Sequence, residues 1–321
     1  MGLREGIKAM LQECMGMQPG ETVLIIVDPL SLEIGYTMWE VAVNLQAQPV
    51  MIEMMEQKDH GSEPPASVAA AMRSAQIILA PTTKSLSHTK ASKDACASGA
   101  RMASMPGITN GIITRSIAVD YSFMRTLSYK LAQQLSEAKS ARLTSPLGTE
   151  LEMSLAGRQG IADTGDLNKP GAFGNLPAGE AFIAPLEGSC QGVFYCDVSV
   201  GGYGRVTEPL RCDVKDGVIV SLAGDKTAYQ LQEQLNDTGK LAGNIAELGM
   251  GTNPNAPLSG NILEDEKVFG TVHIGIGNNI TIGGTVNVPF HVDLVIKKPT
   301  LYLDDILVIR DGKFVGLPEQ V

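Results

Sequence analysis

The sequence lacks the features that mark several common classes of protein. Its 321 residues include only four histidines, and its five cysteines are scattered without a Cys-x-x-Cys pair. Neither a disulfide framework nor a thiolate zinc site is therefore indicated, and we expect a cytoplasmic protein. No G-x-G-x-x-G follows the first predicted strand, which argues against a dinucleotide site of the usual kind.

Long apolar runs and an excess of basic charge are missing too. No run of apolar residues reaches the roughly 18 that a membrane-spanning helix needs, so we expect no membrane span. The 25 basic residues are outnumbered by 35 acidic ones, which gives a net charge of −10. This balance argues against a surface for nucleic acid or anionic membranes and favours a small-molecule or peptide substrate.

The sequence does have enough apolar residues for a large core. Its length and its hydrophobic content of 44% predict two domains. In residues 1–139, hydrophobic runs alternate with helical patterns, from the strand TVLIIVD at 22–28 to a helix near 117–138. Because strands that alternate with helices form parallel sheets, we expect an α/β domain whose parallel sheet is covered by helices.

Residues 140–321 have a different pattern. Hairpins are predicted around Leu147-Gly148, at Asp216-Gly217 and in 307–316, with one strand at 193–202 and a single helix near 226–236. We therefore expect a mainly β (α+β) second domain, and the candidate metal-binding residues all lie in it.

Polar residues follow two of the predicted parallel strands in the first domain. Asp28 follows the first strand, and Thr82 to Ser85 follow the third. Open sheets bind ligands at the carboxyl ends of their strands, but capping of the next helix is the favoured explanation of the hydroxyl groups. The role of Lys84 and His88 stays open on the sequence alone.

Two of the four histidines lie among acidic residues and glycines in the second domain. In PFHVD (289–293) the flanking apolar residues predict a strand, so His291 and Asp293 point the same way. In VFGTVHIGIG (268–277) the same period puts His273 on one face with two glycines, which leaves space beside the imidazole. Such donors can bind a transition metal at about 2 Å, although a core hydrogen bond is the alternative explanation.

Four segments resemble, in order, the metal-binding half of the aminopeptidase T/aminopeptidase S family of thermophilic-type metallopeptidases. NLPAGEAFIAP (175–185) is similar to one of its motifs, and AELG (246–249) is similar to a second. Asp265-Glu266 with His273 resembles a third, and His291 with Asp293 resembles the last. The likeness follows the domain order over the whole chain and is specific in 174–185 and 245–296.

This resemblance implies a metal-dependent hydrolase. It implies two divalent ions, Zn, Co or Mn, and a peptide or amide bond cleaved by metal-activated water. Glu266 is implied as the catalytic residue that moves the proton. We expect a homodimer that acts on a small peptide or amide substrate. The implied metal ligands are Glu180, Glu247 as the bridging carboxylate, His273, His291 and Asp293.

Two departures from this family concern the third motif. A tyrosine that the family places shortly after the histidine is replaced here by the stretch 278–280. Glu266 and His273 are seven residues apart, so they would face oppositely in an unbroken strand, unless a bulge near Gly270 restores their convergence. A run of acids such as 264–266 is more often a solvated surface.

The chain is also similar to 2,5-dihydroxypyridine 5,6-dioxygenase, whose single Fe(II) is held by two histidines and an aspartate. His291 and Asp293 match one such pair, whereas Glu247 stands where that enzyme has its other histidine. Because Glu180 and His273 enlarge the donor set, a pair of ions is favoured and the aminopeptidase-type hydrolase is the leading expectation. A mononuclear Fe(II) ring-cleaving dioxygenase is the alternative, and a non-catalytic binding protein is the third possibility.

Overall fold

The computed structural model describes residues 2–87 and 89–317, so His88 lies outside the described residues. No helix in these two ranges is long and apolar enough to cross a membrane, and the cytoplasmic location stays a prediction. The α-helices are α1 (Leu3–Ala9), α2 (Leu32–Asn44), α3 (Ala66–Ser74), α4 (Lys90–Ala97), α5 (Asn110–Ile112), α6 (Tyr121–Glu137), α7 (Lys226–Thr238) and α8 (Ile262–Asp265).

The strands outnumber the helices, and most of them lie after residue 139. They are β1 (Thr22–Val27), β2 (Gln48–Glu53), β3 (Ile77–Ala80), β4 (Arg101–Ser104), β5 (Ser140–Thr144), β6 (Glu150–Ser154), β7 (Ile161–Asp163), β8 (Phe173–Asn175), β9 (Glu180–Ile183), β10 (Gln191–Cys196), β11 (Ser199–Val200), β12 (Gly204–Arg205), β13 (Leu210–Lys215), β14 (Val218–Ala223), β15 (Ile245–Gly251), β16 (Val272–Gly277), β17 (His291–Ile296), β18 (Thr300–Leu303), β19 (Ile306–Arg310) and β20 (Lys313–Phe314).

The chain forms two compact units, and neither is continuous in sequence. The first unit consists of Met1–Tyr121 and Asp163–Ala178, and the second of Ser122–Ala162 and Gly179–Val321. The domain boundaries 1–139 and 140–321 stay a prediction, as does the homodimer.

The first unit is built on a parallel sheet with the strand order β2-β1-β3-β4-β8. The apolar run of β1 is buried because both of its faces are covered. Leu24 and Ile26 belong to a core cluster that includes Met72 of α3, while Gly35 of α2 lies against Val27 on the other face. The expected α/β domain with a covered parallel sheet is confirmed, and β8 is a strand that the sequence pattern did not predict.

The second unit contains two antiparallel sheets that share one hydrophobic core. Their strand orders are β14-β13-β10-β6-β5-β18-β19-β20 and β12-β11-β17-β16-β15-β9-β7. Phe194 from the first sheet and Leu248 and Ile274 from the second are all fully buried in this core. The expected mainly β architecture and its hairpins are therefore confirmed.

One predicted strand of this unit is wrong. The apolar pattern at 193–202 indicated a single strand, but the chain forms β10 in the eight-stranded sheet and β11 in the seven-stranded sheet. The break falls at Asp197, whose carboxylate accepts a hydrogen bond from the backbone N–H of Lys297. A residue that connects two sheets leaves the alternation of the sequence unchanged, so periodicity alone could not reveal the break.

Candidate metal centre

Adjacent strands of the seven-stranded sheet bring the predicted donors onto one face. In β15 and β16, Glu247 lies opposite Gly275 and Gly249 lies opposite His273. Gly275 also lies opposite Asp293 of β17. Directly opposite residues of antiparallel strands share a face, so these side chains project together.

The two outer donors follow from the same register. His291 begins β17 opposite Gly277, two residues before Asp293, and Glu180 begins β9 opposite Gly251. The intervening residues, such as Leu248 and Ile274, point into the hydrophobic core. The donor face is therefore held by a packed sheet, which fixes the positions of the donors more closely than a loop would. It carries Glu180, Glu247, His273, His291 and Asp293.

Two glycines on this face leave the space that the donors occupy. A Cβ on Gly249 would lie 2.0 Å from His273 Nε2. A Cβ on Gly275 would lie 2.7 Å from Glu247 Cβ and 2.9 Å from Asp293 Oδ1. Any larger residue would overlap a donor, so glycine at both positions is a requirement of the site.

The donor atoms form two groups that share Glu247. In one group His273 Nε2 lies 3.3 Å from Glu247 Oε1 and 3.4 Å from Glu180 Oε2. In the other His291 Nε2 lies 3.3 Å from Asp293 Oδ1 and 3.7 Å from Glu247 Oε2. Within each group, the ligand atoms lie within 4.8 Å of one another.

These separations fit a divalent cation. Two atoms bound to one ion at about 2.1 Å, at right or tetrahedral angles, lie about 3.0–3.4 Å apart. Within the part of the chain that the structure describes, Glu180 Oε2 and Asp293 Oδ1 are buried and have no hydrogen-bond partner. A buried carboxylate oxygen without a partner is costly, and a cation bound by His291 and Asp293 would satisfy Asp293 Oδ1.

His291 is oriented as a metal ligand. Its Nδ1 lies 2.7 Å from the backbone carbonyl of Asn278, and because a carbonyl only accepts, Nδ1 must carry the proton. The other nitrogen, Nε2, then faces the two carboxylates, and a cation that binds there would displace its proton and take up the lone pair. Metal-binding histidines are commonly fixed by such a contact. Asn278 begins the stretch that replaces the aminopeptidase tyrosine.

Burial and mutual charge shift the pKa values across the donor face. Burial alone would lower the pKa of His273, but hydrogen bonding to Glu247 and nearby carboxylates raise it to about 9. Burial would likewise lower the pKa of His291, but the charges of Asp293 and Glu247 raise it to about 10. Burial raises the pKa of Glu247. For Asp293, burial is outweighed by His291, which holds the pKa below its usual range.

Glu266 belongs to neither donor group. It follows α8 and is buried, and its Oε1 accepts a hydrogen bond of 2.5 Å from Lys267 Nζ. Burial raises the pKa of Glu266 to about 8. The chain reaches β16 through a turn in which Gly270 has a φ of 81°, so the odd spacing between Glu266 and His273 carries no penalty.

The expectation that the acidic run 264–266 is a solvated surface is wrong. Glu264 and Asp265 are fully buried. Asp265 accepts hydrogen bonds from the hydroxyl of Ser199 and from the backbone N–H groups of Ser259 and Gly260. A carboxylate with that many donors can remain inside the protein, because hydrogen bonds replace its hydration.

Lys267 is a site residue that the sequence analysis missed. Its side chain is 1% exposed, and its ammonium lies 2.9 Å from Glu180 Oε1 as well as 2.5 Å from Glu266 Oε1. The available signal was a lysine enclosed between three acids and the apolar pair Val268-Phe269. Lysine is rarely buried without an anionic partner, so this context was compatible with an internal ion pair but did not distinguish it from a solvated run.

Lys84 belongs to the first unit, whereas both donor groups belong to the second. The backbone carbonyl of Lys84 accepts a 2.6 Å hydrogen bond from Thr82 Oγ1. Burial and the charge of Lys84 together lower the pKa of His60. Within residues 2–87 and 89–317, the metal-binding groups found are the two that share Glu247.

The fold and the donor face define a protein with a two-part α/β and mainly β architecture and a cluster of candidate metal ligands. The chain belongs to the 2,5-dihydroxypyridine 5,6-dioxygenase (NicX) family, whose model matches residues 3–316. It is 26% identical over 203 residues to 2,5-dihydroxypyridine 5,6-dioxygenase from Pseudomonas putida KT2440. That alignment covers 58% of this chain and 57% of the relative, little more than half of either.

Two solved structures have the same fold along nearly the whole chain. The 2,5-dihydroxypyridine dioxygenase from Pseudomonas putida KT2440 has a TM-score of 0.81 at 19% identity, with 99% of this chain and 97% of that one covered. Wild-type AmpT from Thermus thermophilus has a TM-score of 0.72 at 17% identity, with 98% of each chain covered. At these identities both likenesses show the fold alone.

The expected aminopeptidase-type metallohydrolase is therefore wrong, and with it the classification as hydrolase and metalloprotease. The family match covers almost the whole chain and names a dioxygenase, whereas the aminopeptidase likeness holds for the fold only. The error came from counting donors. A set rich in carboxylates suits two ions, as in hydrolysis. One fold can support hydrolysis as well as ring cleavage by oxygen, so the number of donors does not decide the reaction.

Proposed function

We propose that this protein is an Fe(II)-dependent dioxygenase that opens the ring of a hydroxylated pyridine, of which 2,5-dihydroxypyridine is the first candidate. Family membership supports the reaction class. The observation that carries the proposal is the group formed by Glu247, His291 and Asp293, whose ligand atoms lie within 4.8 Å of one another.

The partial exposure of this group favours it over the neighbouring one as the iron site. The side chains of His291 and Asp293 are 30% and 19% exposed, whereas those of His273 and Glu180 are 1% and 10% exposed. Oxygenases need open coordination positions for their substrates. The group keeps the donor types of the two-histidine, one-carboxylate triad of non-haem Fe(II) oxygenases, with Glu247 in place of one histidine. When bound, Fe(II) supplies the one-electron chemistry that lets molecular oxygen react with an aromatic ring.

The neighbouring side chains hold the ligands in place. His273 Nε2 lies within hydrogen-bond distance of Glu247 Oε1, at 3.3 Å, which leaves Oε2 for the ion. The backbone carbonyl of Asn278 fixes the ring of His291 through Nδ1. Because both contacts come from the same packed sheet and its connecting turn, the ligands are pre-arranged before the ion binds.

Glu266 is our proposed proton carrier. Burial raises its pKa to about 8, close to neutral pH, where a carboxyl can both hold and release a proton at small cost. Lys267 engages its Oε1, so the proton is carried on Oε2. A ring hydroxyl that binds beside a cation must lose its proton, and the ionised form of Glu266 would take it up.

Oxygen uptake tests this proposal. Protein loaded anaerobically with Fe(II) should consume oxygen when 2,5-dihydroxypyridine is added, while Zn(II)-loaded protein should not. Asp293→Asn should abolish the uptake, and Glu208→Gln should retain it, since Glu208 is an exposed carboxylate outside both donor groups. No oxygen uptake by the iron-loaded protein with any hydroxylated pyridine would refute the proposal.

A further inference from the structure

The second donor group, formed by Glu180, Glu247 and His273, has the separations of a cation site but already contains a positive charge. Lys267 Nζ lies 2.9 Å from Glu180 Oε1. The other oxygen of that carboxylate, Oε2, faces His273. The same ammonium lies 2.5 Å from Glu266 Oε1. Lys267 therefore sits between two carboxylates that could otherwise help to bind a metal ion.

The backbone around Lys267 keeps the ammonium at this position. The N–H of Asn253 donates a 2.9 Å hydrogen bond to the carbonyl of Lys267. Gly251 lies opposite Glu180 in the sheet, and a Cβ there would come within 2.1 Å of the carbonyl oxygen of Val268. Only glycine lets the segment of Lys267 approach β15 so closely, which brings the lysine within reach of Glu180.

We propose that the ammonium of Lys267 takes the place of a second metal ion, so that this donor face binds one divalent cation rather than two. It pairs with Glu180 and Glu266 and repels a divalent ion that would bind at Glu180 Oε2. The repulsion is strong because the lysine is buried and poorly screened. This inference rests on the proposed single-ion site and identifies Lys267 as the residue that determines the number of ions.

Replacing the lysine should therefore add a binding site for a metal ion. Lys267→Met keeps most of the buried chain length but removes the charge, which frees Glu180 and Glu266. We expect the unaltered protein to bind one Mn(II) per chain and Lys267→Met to bind two, as measured by equilibrium titration with Mn(II) alone. The two neighbouring ions should also give a spin-coupled signal in electron paramagnetic resonance, which a merely structural lysine would not control.

Two further variants serve as controls. Lys215→Met removes an exposed lysine in the eight-stranded sheet and should leave the number of ions at one. Adding Glu180→Gln to Lys267→Met should abolish the second ion, because it removes a ligand of that group. If Lys267→Met fails to fold because two carboxylates lose their partner, the variant Lys267→Met with Glu266→Gln leaves one of them neutral and should still bind two ions.

Two results would overturn the inference. One is two Mn(II) ions per chain in the unaltered protein, a measurement that needs no variant. The other is a single ion in folded Lys267→Met or, if that variant does not fold, in Lys267→Met with Glu266→Gln. Because the titration uses neither substrate nor oxygen, its outcome is independent of the oxygen-uptake test of the proposed function.

Discussion

Gly275→Ala tests whether the donor face depends on the empty space at its centre. The new Cβ would lie 2.7 Å from Glu247 Cβ, 2.9 Å from Asp293 Oδ1 and 3.2 Å from His291 Cε1. Carbon atoms prefer separations of about 3.5–4.0 Å, so Glu247 would have to move by about 1 Å. All three proposed iron ligands would be displaced by one methyl group.

The size of the effect follows from this displacement. A metal site tolerates shifts of only about 0.5 Å in its ligands, so we expect the affinity for Fe(II) or Mn(II) to fall at least about tenfold. The overpacked strand should also lower the free energy of unfolding by about 1–3 kcal/mol. Titration with Mn(II) and denaturant unfolding with metal removed measure the two effects separately.

Gly201→Ala is the matched control. Its Cβ would lie 3.5 Å from the backbone nitrogen of Asp293 and farther from its other neighbours, which is ordinary contact distance. This variant should bind metal like the unaltered protein. Equal metal affinity in the two alanine variants would refute the argument that Gly275 provides the space for the ligands.

Three further predictions concern charge and burial. The folded-state pKa values of His273 and His291 are about 9 and 10, above the unfolded value of about 6.5. The protonated histidines therefore stabilise the metal-free protein fully below about pH 6.5, and this stabilisation is lost as the pH rises through 9–10. Thermal unfolding in a chelator should therefore show a melting temperature that falls over this range, and a smaller fall in His291→Asn. Asp265→Ala should cost about 3 kcal/mol or more in denaturant unfolding, because it leaves the donors of Ser199, Ser259 and Gly260 unpaired, whereas an effect below about 1 kcal/mol would contradict the buried network. Removal of the metal should destabilise the protein by about 4 kcal/mol relative to protein with free Fe(II) at a thousandfold excess over its Kd, and identical melting with and without Fe(II) would show that no ion binds.

Strand periodicity was sufficient to predict half of the donor face. Residues two apart in a strand share a face whatever the rest of the fold does, so the pairing of His291 with Asp293 and the free space at Gly275 were readable from local sequence. The parallel sheet of the first unit was readable for a similar reason, since its strands and helices alternate along the chain.

The features that the sequence did not reveal depend on long-range contacts. Lys267 and the acids before it look like a solvated run, because their burial depends on partners as distant as Glu180 and Ser199. The three-residue strand β8 is too short to show a period, and its pairing with β4 is set by the fold. The choice between two chemistries was beyond pattern reasoning, because it depends on the ion and the substrate more than on the set of donors.

The central claim, that this protein incorporates molecular oxygen into a hydroxylated pyridine, is tested most directly by isotope labelling. Fe(II)-loaded protein would be mixed with 2,5-dihydroxypyridine under ¹⁸O₂ in unlabelled water, and the product analysed by mass spectrometry. We expect a ring-opened product that carries two labelled oxygen atoms. A product whose new oxygen comes only from water would contradict it.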